Sequence, residues 1–169
     1  ELRYWLLEIS SKGGNYMLNI GPDEKGQVAE QVKKNLGILG EWLTTSGEAI
    51  YGSVPWTIQH EGPTSIQITD TEQREREGFT ADFTPSDFWF TQKQGFVYVL
   101  AMRSSADGRV TVRSLSSNKA RVETVEILGA GHVKFNQDEN GLHLRLPQKL
   151  RNSALGYSLR IKLAKAAAS

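Results

Sequence analysis

Five of the carboxylates in the first fifty residues are candidates for chemistry: Glu8, Asp23, Glu24, Glu41 and Glu48. A carboxyl pair set about 5 to 9.5 Å apart across a glycosidic bond can hydrolyse it, one group protonating the leaving oxygen while the other attacks or activates water. Position argues against most of them. Asp23 and Glu24 fall in a turn-like Pro-Asp-Glu-Lys-Gly run, where such residues serve the backbone, and Glu41 falls on the polar side of a helical pattern. Glu48 is the least determined by its surroundings. The three histidines, His60, His132 and His143, are scattered, and none has a partner at a metal-ligand spacing, so no metal is expected. There is no G-x-S-x-G, no phosphate-cradling glycine loop and no H-E-x-x-H, so neither serine nucleophile, nucleotide nor zinc chemistry is indicated and no cofactor is expected. Asn19 stands out for another reason: an amide within an apolar run must be hydrogen-bonded or line a polar cavity, since burying it unpaired costs about 1 to 3 kcal/mol.

The elements that would carry these residues begin at once. Leu2, Trp5 or Leu6, and Ile9 recur at helical spacing, and Gly13-Gly14 ends the pattern. Tyr16, Met17, Leu18 and Ile20 then form a short apolar run closed by Gly21-Pro22, the pattern of a strand buried on both faces. Val28, Val32, Leu36, Leu39 and Leu43 predict an amphipathic helix through Ser46, stopped by Gly47. Helix, buried strand, helix is one turn of an α/β wheel, and a lone parallel strand needs neighbours on both sides.

Beyond Tyr51 the helical period vanishes. Pro55-Trp56 followed by Glu61-Gly62-Pro63 reads as a linker, with the boundary near residues 52–59, and short alternating or aromatic-rich runs follow: 65–69, 88–91, 96–102, 110–115, 122–128, 132–136, 142–146 and 157–163. Strands at that spacing, with no helix among them, predict an antiparallel β-sandwich. The stretch Thr69 to Gly78 reads as a solvated loop, because its charges alternate in sign, and the tail from Ala164 reads as frayed.

Charge narrows the partners. Twenty basic residues against 19 acidic ones give a net charge of +1, so no single-sign field exists to attract nucleic acid or an anionic membrane, and neither is expected. The absence of cysteine excludes disulfides and thiolate sites but leaves the compartment open. No run approaches the length of an apolar membrane span. A chain that opens on Glu1 in mid-helical pattern is expected to be a processed product or a fragment.

The run SSKGGNYMLNIGPDEKGQV, followed by LGEWL and GEAIYGSVPW, closely resembles the end of the catalytic domain of α-L-fucosidases of glycoside hydrolase family 29. DFWFTQKQGFVYVLAM, VEILG, GLHLRLP and YSLRIKL resemble the sandwich domain that follows it in that family. Met17 stands where leucine is usual, Phe88-Trp89 depart from the common pair, and residues 69–78 match nothing firmly.

The resemblance implies an α/β barrel remnant, the last helix-strand-helix of a (β/α) barrel, over residues 1–55, followed by an all-β antiparallel sandwich over 56–169. It implies hydrolysis of terminal α-L-fucose with retention, through an aspartate nucleophile and a second carboxylate. No position here matches either motif, so no catalytic residue is expected in this chain. Asn15, Asn19, Gly21 and Pro22 are expected to line or brace the floor of a site whose carboxylates come from an N-terminal barrel portion of the same protein. The implied partners are that portion and a fucosylated glycan; a homo-oligomer is compatible with it, and relatives are commonly secreted, periplasmic or lysosomal. A carbohydrate-binding sandwich, stacking sugars on Trp56, Trp89 or Tyr98, and a pseudoenzyme fragment stand as alternatives.

Overall fold

The computed structural model describes residues 2–64 and 82–164. The expected strand at 65–69, the loop Thr69 to Gly78 and the tail after Ala164 lie outside the described residues.

Two helices precede the strands: α1 (Leu2–Ser11) and α2 (Glu30–Ser46). Among the described residues nine strands follow: β1 (Val54–Glu61), β2 (Phe88–Lys93), β3 (Phe96–Ala101), β4 (Arg109–Val112), β5 (Val122–Ile127), β6 (Gly131–His132), β7 (Phe135–Asp138), β8 (Gly141–Arg145) and β9 (Tyr157–Leu163). They make a six-stranded sheet, β1-β2-β3-β9-β5-β6, and a three-stranded sheet, β4-β8-β7, with antiparallel pairing throughout.

The larger sheet is covered on both sides. Phe88, Phe90, Val97, Val99 and Ala101 point into the core between the sheets, with Leu142, Leu144, Leu159 and Ile161. Their alternates, Trp89, Tyr98 and Leu100, point the other way, onto Tyr4 and Leu7 of α1 and Trp42 of α2. Burial on both faces explains why FWF and FVYVLA read as continuous apolar runs rather than alternating ones. The molecule is therefore layered as helices, six-stranded sheet, three-stranded sheet, and each β2 or β3 side chain lost from either face would remove about 1.5 to 3 kcal/mol of burial.

Four expectations change. Residues 52–59 are not a linker: Val54 and Pro55 already pair with Gln92 and Thr91, so the expected division at 55/56 falls inside β1. Proline is tolerated there because β1 is an edge strand. The expected strand 132–136 is two strands in different sheets, β6 and β7. Gly47 does not stop α2 by a left-handed turn: its φ is −59°, and the helix runs on into a 3-10 turn at Gly47–Ala49. What Gly47 supplies is close approach, since a Cβ would lie 2.9 Å from the Tyr51 ring. Finally, the run Tyr16 to Ile20 forms no strand in this chain. A two-faced strand has no partner here to take its backbone hydrogen bonds.

Candidate functional site

The segment expected to touch a substrate, Asn15 to Pro22, leaves α1 through a tight turn. Gly13 has φ +80°, and the amides of Lys12, Gly13 and Gly14 donate to the carbonyls of Ile9, Ser10 and Ile9 at 3.2, 3.1 and 2.9 Å. This closes the helix end in the left-handed manner that glycine adopts most readily. A Cβ at Gly13 would sit 2.9 Å from Cγ of Pro55, so the turn is pressed against the edge strand of the large sheet.

From Gly14 to Pro22 the chain is irregular. Asn15, Asn19, Gly21 and Pro22 are all exposed. Asn19 is thus not the buried amide of the sequence argument, because the strand that would have buried it is not formed. Met17 is 92% exposed, with Leu18 and Ile20 beside it. Asn15, Tyr16, Met17 and Leu18 line an open hollow of about 440 Å³ with Trp5 and Ile9 of α1.

The five candidate carboxylates separate by what holds them. Asp23 Oδ1 accepts from the amides of Lys25 and Gln27 at 2.9 and 2.8 Å, so it shapes the turn before α2. Glu24 and Glu41 are exposed. Glu48 Oε1 accepts from the Tyr98 hydroxyl at 2.7 Å and from Arg160 at 3.0 Å, and Arg160 also donates to Glu126 at 2.6 Å. The Tyr98 hydroxyl, with the bond and charge of Arg160, outweighs the upward push of partial burial and holds the Glu48 carboxyl below the usual carboxylate range. Glu8 Oε2 accepts from the Trp89 indole at 2.8 Å, while Oε1 pairs with Lys12. Burial alone would raise the Glu8 carboxyl; the bonds from Lys12 and Trp89 outweigh it and hold the group low. Glu8 through both oxygens, and Asp23 and Glu48 through one each, therefore hold chain segments together.

These bonds, with the Ser158 hydroxyl donating to Ser46 at 2.8 Å, fasten both helices to one face of the large sheet. Arg3 adds a third fastening, donating to the carbonyls of Met102 and Ala154 at 3.2 and 2.9 Å; burial, then nearby Arg103, pushes its guanidinium down to about 10. Of the expected anchors, Val28 precedes α2; it and Val32, Leu36, Leu39 and Leu43 are only half-buried, and Trp42 is the residue of α2 that enters the core. The helix thus leaves much of its apolar row uncovered.

Asp87, not a candidate from the sequence, is the most enclosed carboxylate among the described residues. It is fully buried and accepts from the amide and hydroxyl of Thr64 at 2.9 and 2.8 Å, and from those of Thr84 at 2.7 and 2.8 Å. Burial pushes it up, and the four donors more than reverse that, so it lies below the ordinary value.

His143 bridges Thr111 Oγ1 at 3.1 Å and Asp138 Oδ1 at 2.9 Å on the outer face of the small sheet, His132 is exposed, and His60 packs on Trp89 with ring centroids 5.0 Å apart. Among the described residues no three His, Asp or Glu side chains are grouped to hold a metal, and no helix is long and apolar enough to cross a membrane. The three aromatics considered for sugar stacking are engaged in packing: Trp89 and Tyr98 are buried, and Trp56 lies against Phe90 with centroids 5.2 Å apart.

Two helices fastened by hydrogen bonds to one face of a two-sheet antiparallel sandwich define the class by fold: a helical segment joined to a β-sandwich. Comparison with known proteins identifies which. Residues 1–48 match the family model described as alpha-L-fucosidase, and residues 81–162 match that described as alpha-L-fucosidase C-terminal domain. The chain belongs to the α-L-fucosidase family and corresponds to its C-terminal portion. It is 30% identical over 145 residues to the tissue alpha-L-fucosidase of Homo sapiens, covering 85% of this chain and 26% of that protein. It is 28% identical over 154 residues to the human plasma alpha-L-fucosidase, covering 88% of this chain and 28% of that one. The solved structure of Thermotoga maritima alpha-fucosidase superposes with a TM-score of 0.70 at 26% identity, over 95% of this chain and 33% of that chain. Isoenzyme 1 from Paenibacillus thiaminolyticus shares the fold, with a TM-score of 0.69 at 19% identity, over 97% of this chain and 34% of that one. The chain thus spans about a quarter of the curated relatives' length. The barrel remnant and sandwich expected from the sequence agree with these neighbours.

Proposed function

We propose that this chain works as the C-terminal part of a retaining α-L-fucosidase that releases terminal α-L-fucose from glycoconjugates or oligosaccharides. The observation that carries the reading is the succession, on one chain, of matches to both the catalytic family and its C-terminal domain. An N-terminal barrel portion outside these residues would supply both carboxylates. In a retaining enzyme they stand about 5 to 5.5 Å apart, one forming the glycosyl-enzyme bond and the other protonating the leaving oxygen and then activating water. The two helices and the segment between them would close the barrel, and the sandwich from β1 onward would brace it. Asn15, Asn19, Gly21 and Pro22 would line the floor of the site once neighbouring strands pair with their segment. The uncovered row on α2 and the exposed Met17, Leu18 and Ile20 support this, being apolar surface of the kind a barrel would cover.

The test is proton NMR of the complete protein turning over an aryl α-L-fucoside. Fucose should appear first as the α-anomer; first appearance of the β-anomer, or no turnover, would overturn the reading.

A further inference from the structure

Trp89 is a fixed donor. Its ring is 1% exposed and is met by Tyr4 at 5.9 Å and 77°, Phe83 at 5.5 Å and 74°, and His60 at 5.0 Å. Its Nε1 bonds Glu8, which lies one turn before the end of α1 and pairs along the helix with Lys12. One residue beyond Lys12, Gly13 meets Pro55 of β1; then Gly14 donates back to Ile9, and Asn15 follows. At its C-terminal end α1, and the direction in which Asn15 to Pro22 depart, thus bear on two residues of the large sheet, Trp89 and Pro55.

We propose that Glu8 and Trp89 are positioning residues for catalysis: through the Glu8 to Trp89 bond the sandwich sets the turn at Gly13-Gly14, and with it the place of Asn15 and Asn19 in the fucosidase site. This rests on the reading of residues 15–22 as site-lining. The bond is charge-assisted, which makes it stronger and more directional than a neutral one. A small displacement of a site-lining segment lowers turnover more than binding when the contacts it serves tighten in the transition state.

The test uses the complete protein and two readouts. For Glu8→Ala, kcat should fall about tenfold with KM within about twofold, while Glu8→Gln, whose amide oxygen still accepts from Nε1, should stay within about threefold of wild type. Hydrogen exchange at the Gly13 and Gly14 amides should accelerate about tenfold in Glu8→Ala and little in Glu8→Gln. Trp89→Phe, which keeps a ring but removes the donor, should reproduce Glu8→Ala and replaces it if that variant does not fold. Unchanged exchange at Gly13 and Gly14 in a folded variant would overturn the positioning; faster exchange with unchanged kcat would overturn its bearing on catalysis. Absence of turnover by wild type would overturn the functional reading alone, since the exchange experiment decides the positioning without it.

Discussion

Replacing Asp87 by asparagine keeps shape and volume and removes only the charge and one acceptor oxygen. In the native protein Oδ2 receives three hydrogen bonds, from the Thr84 amide and the hydroxyls of Thr84 and Thr64, and Oδ1 receives the Thr64 amide. Whichever oxygen becomes an NH2 group, at least one backbone amide then faces a donor. The remaining bonds also drop from charge-assisted to neutral. An unsatisfied buried donor costs about 1 to 3 kcal/mol, and weakening the others adds on the order of 1 kcal/mol, so the loss should total roughly 2 to 4 kcal/mol. No compensating water has room on the Gly62 side, where even a Cβ would come 2.3 Å from Oδ1. For a domain of this size the melting temperature should fall by roughly 5 to 15 °C.

Acid supplies an independent check on the same group. Because the folded carboxyl lies below its ordinary value of 3.8, the unfolded chain binds the proton more readily. The stabilisation is therefore fully present above that ordinary value and is lost as pH falls through the lower, folded one. Thermal unfolding followed by circular dichroism at pH 7 and at successive pH values below 4 should show the gap between wild type and Asp87→Asn closing as the pH drops. A variant within about 2 °C of wild type at pH 7, or a gap independent of pH, would refute the reasoning.

Other consequences concern the fastening of helices to sheet and the tightest turn. Ser46 and Ser158 are both buried and bond each other, so either alanine variant should cost about 1 kcal/mol while the double variant costs little more than one alone, as read by a denaturant-unfolding cycle. Gly156→Ala should lose about 3 kcal/mol or more, or not fold, because φ is +65° and the new Cβ would lie 1.9 Å from the Ala101 carbonyl oxygen; the melting temperature reads this directly.

Strands were legible wherever a short run carried its own boundaries. β9 occupies the expected 157–163, bracketed by an Arg-Asn-Ser turn and the tail from Ala164. Misreadings arose where burial depends on a distant partner. Periodicity selected Leu36, Leu39 and Leu43, yet Trp42 is the apolar side chain of α2 that is buried, with Leu39 and Leu43 packed half-buried beside it on the same cluster. The run at 16–20 has every local mark of a buried strand and is none here, since strand formation needs neighbours and local composition cannot supply them. Asp87 sits in a Pro-Ser-Asp sequence that reads as a surface turn; its donors lie at separations of 23 and 3, and only the first reveals that the turn is enclosed. Glu8 and Trp89 are 81 residues apart, and nothing in either neighbourhood announces the other. The identity of the family was legible because its densest signature, from Ser10 to Trp56, is contiguous.

The measurement that bears most directly on the account is turnover of an aryl α-L-fucoside by purified residues 1–169, set beside turnover by the complete protein under the same conditions. The account predicts release of the aryl alcohol by the complete protein and none above background by residues 1–169. Hydrolysis by residues 1–169 alone would contradict it, because the acid and the nucleophile would then have to be found within this chain rather than in an N-terminal barrel portion.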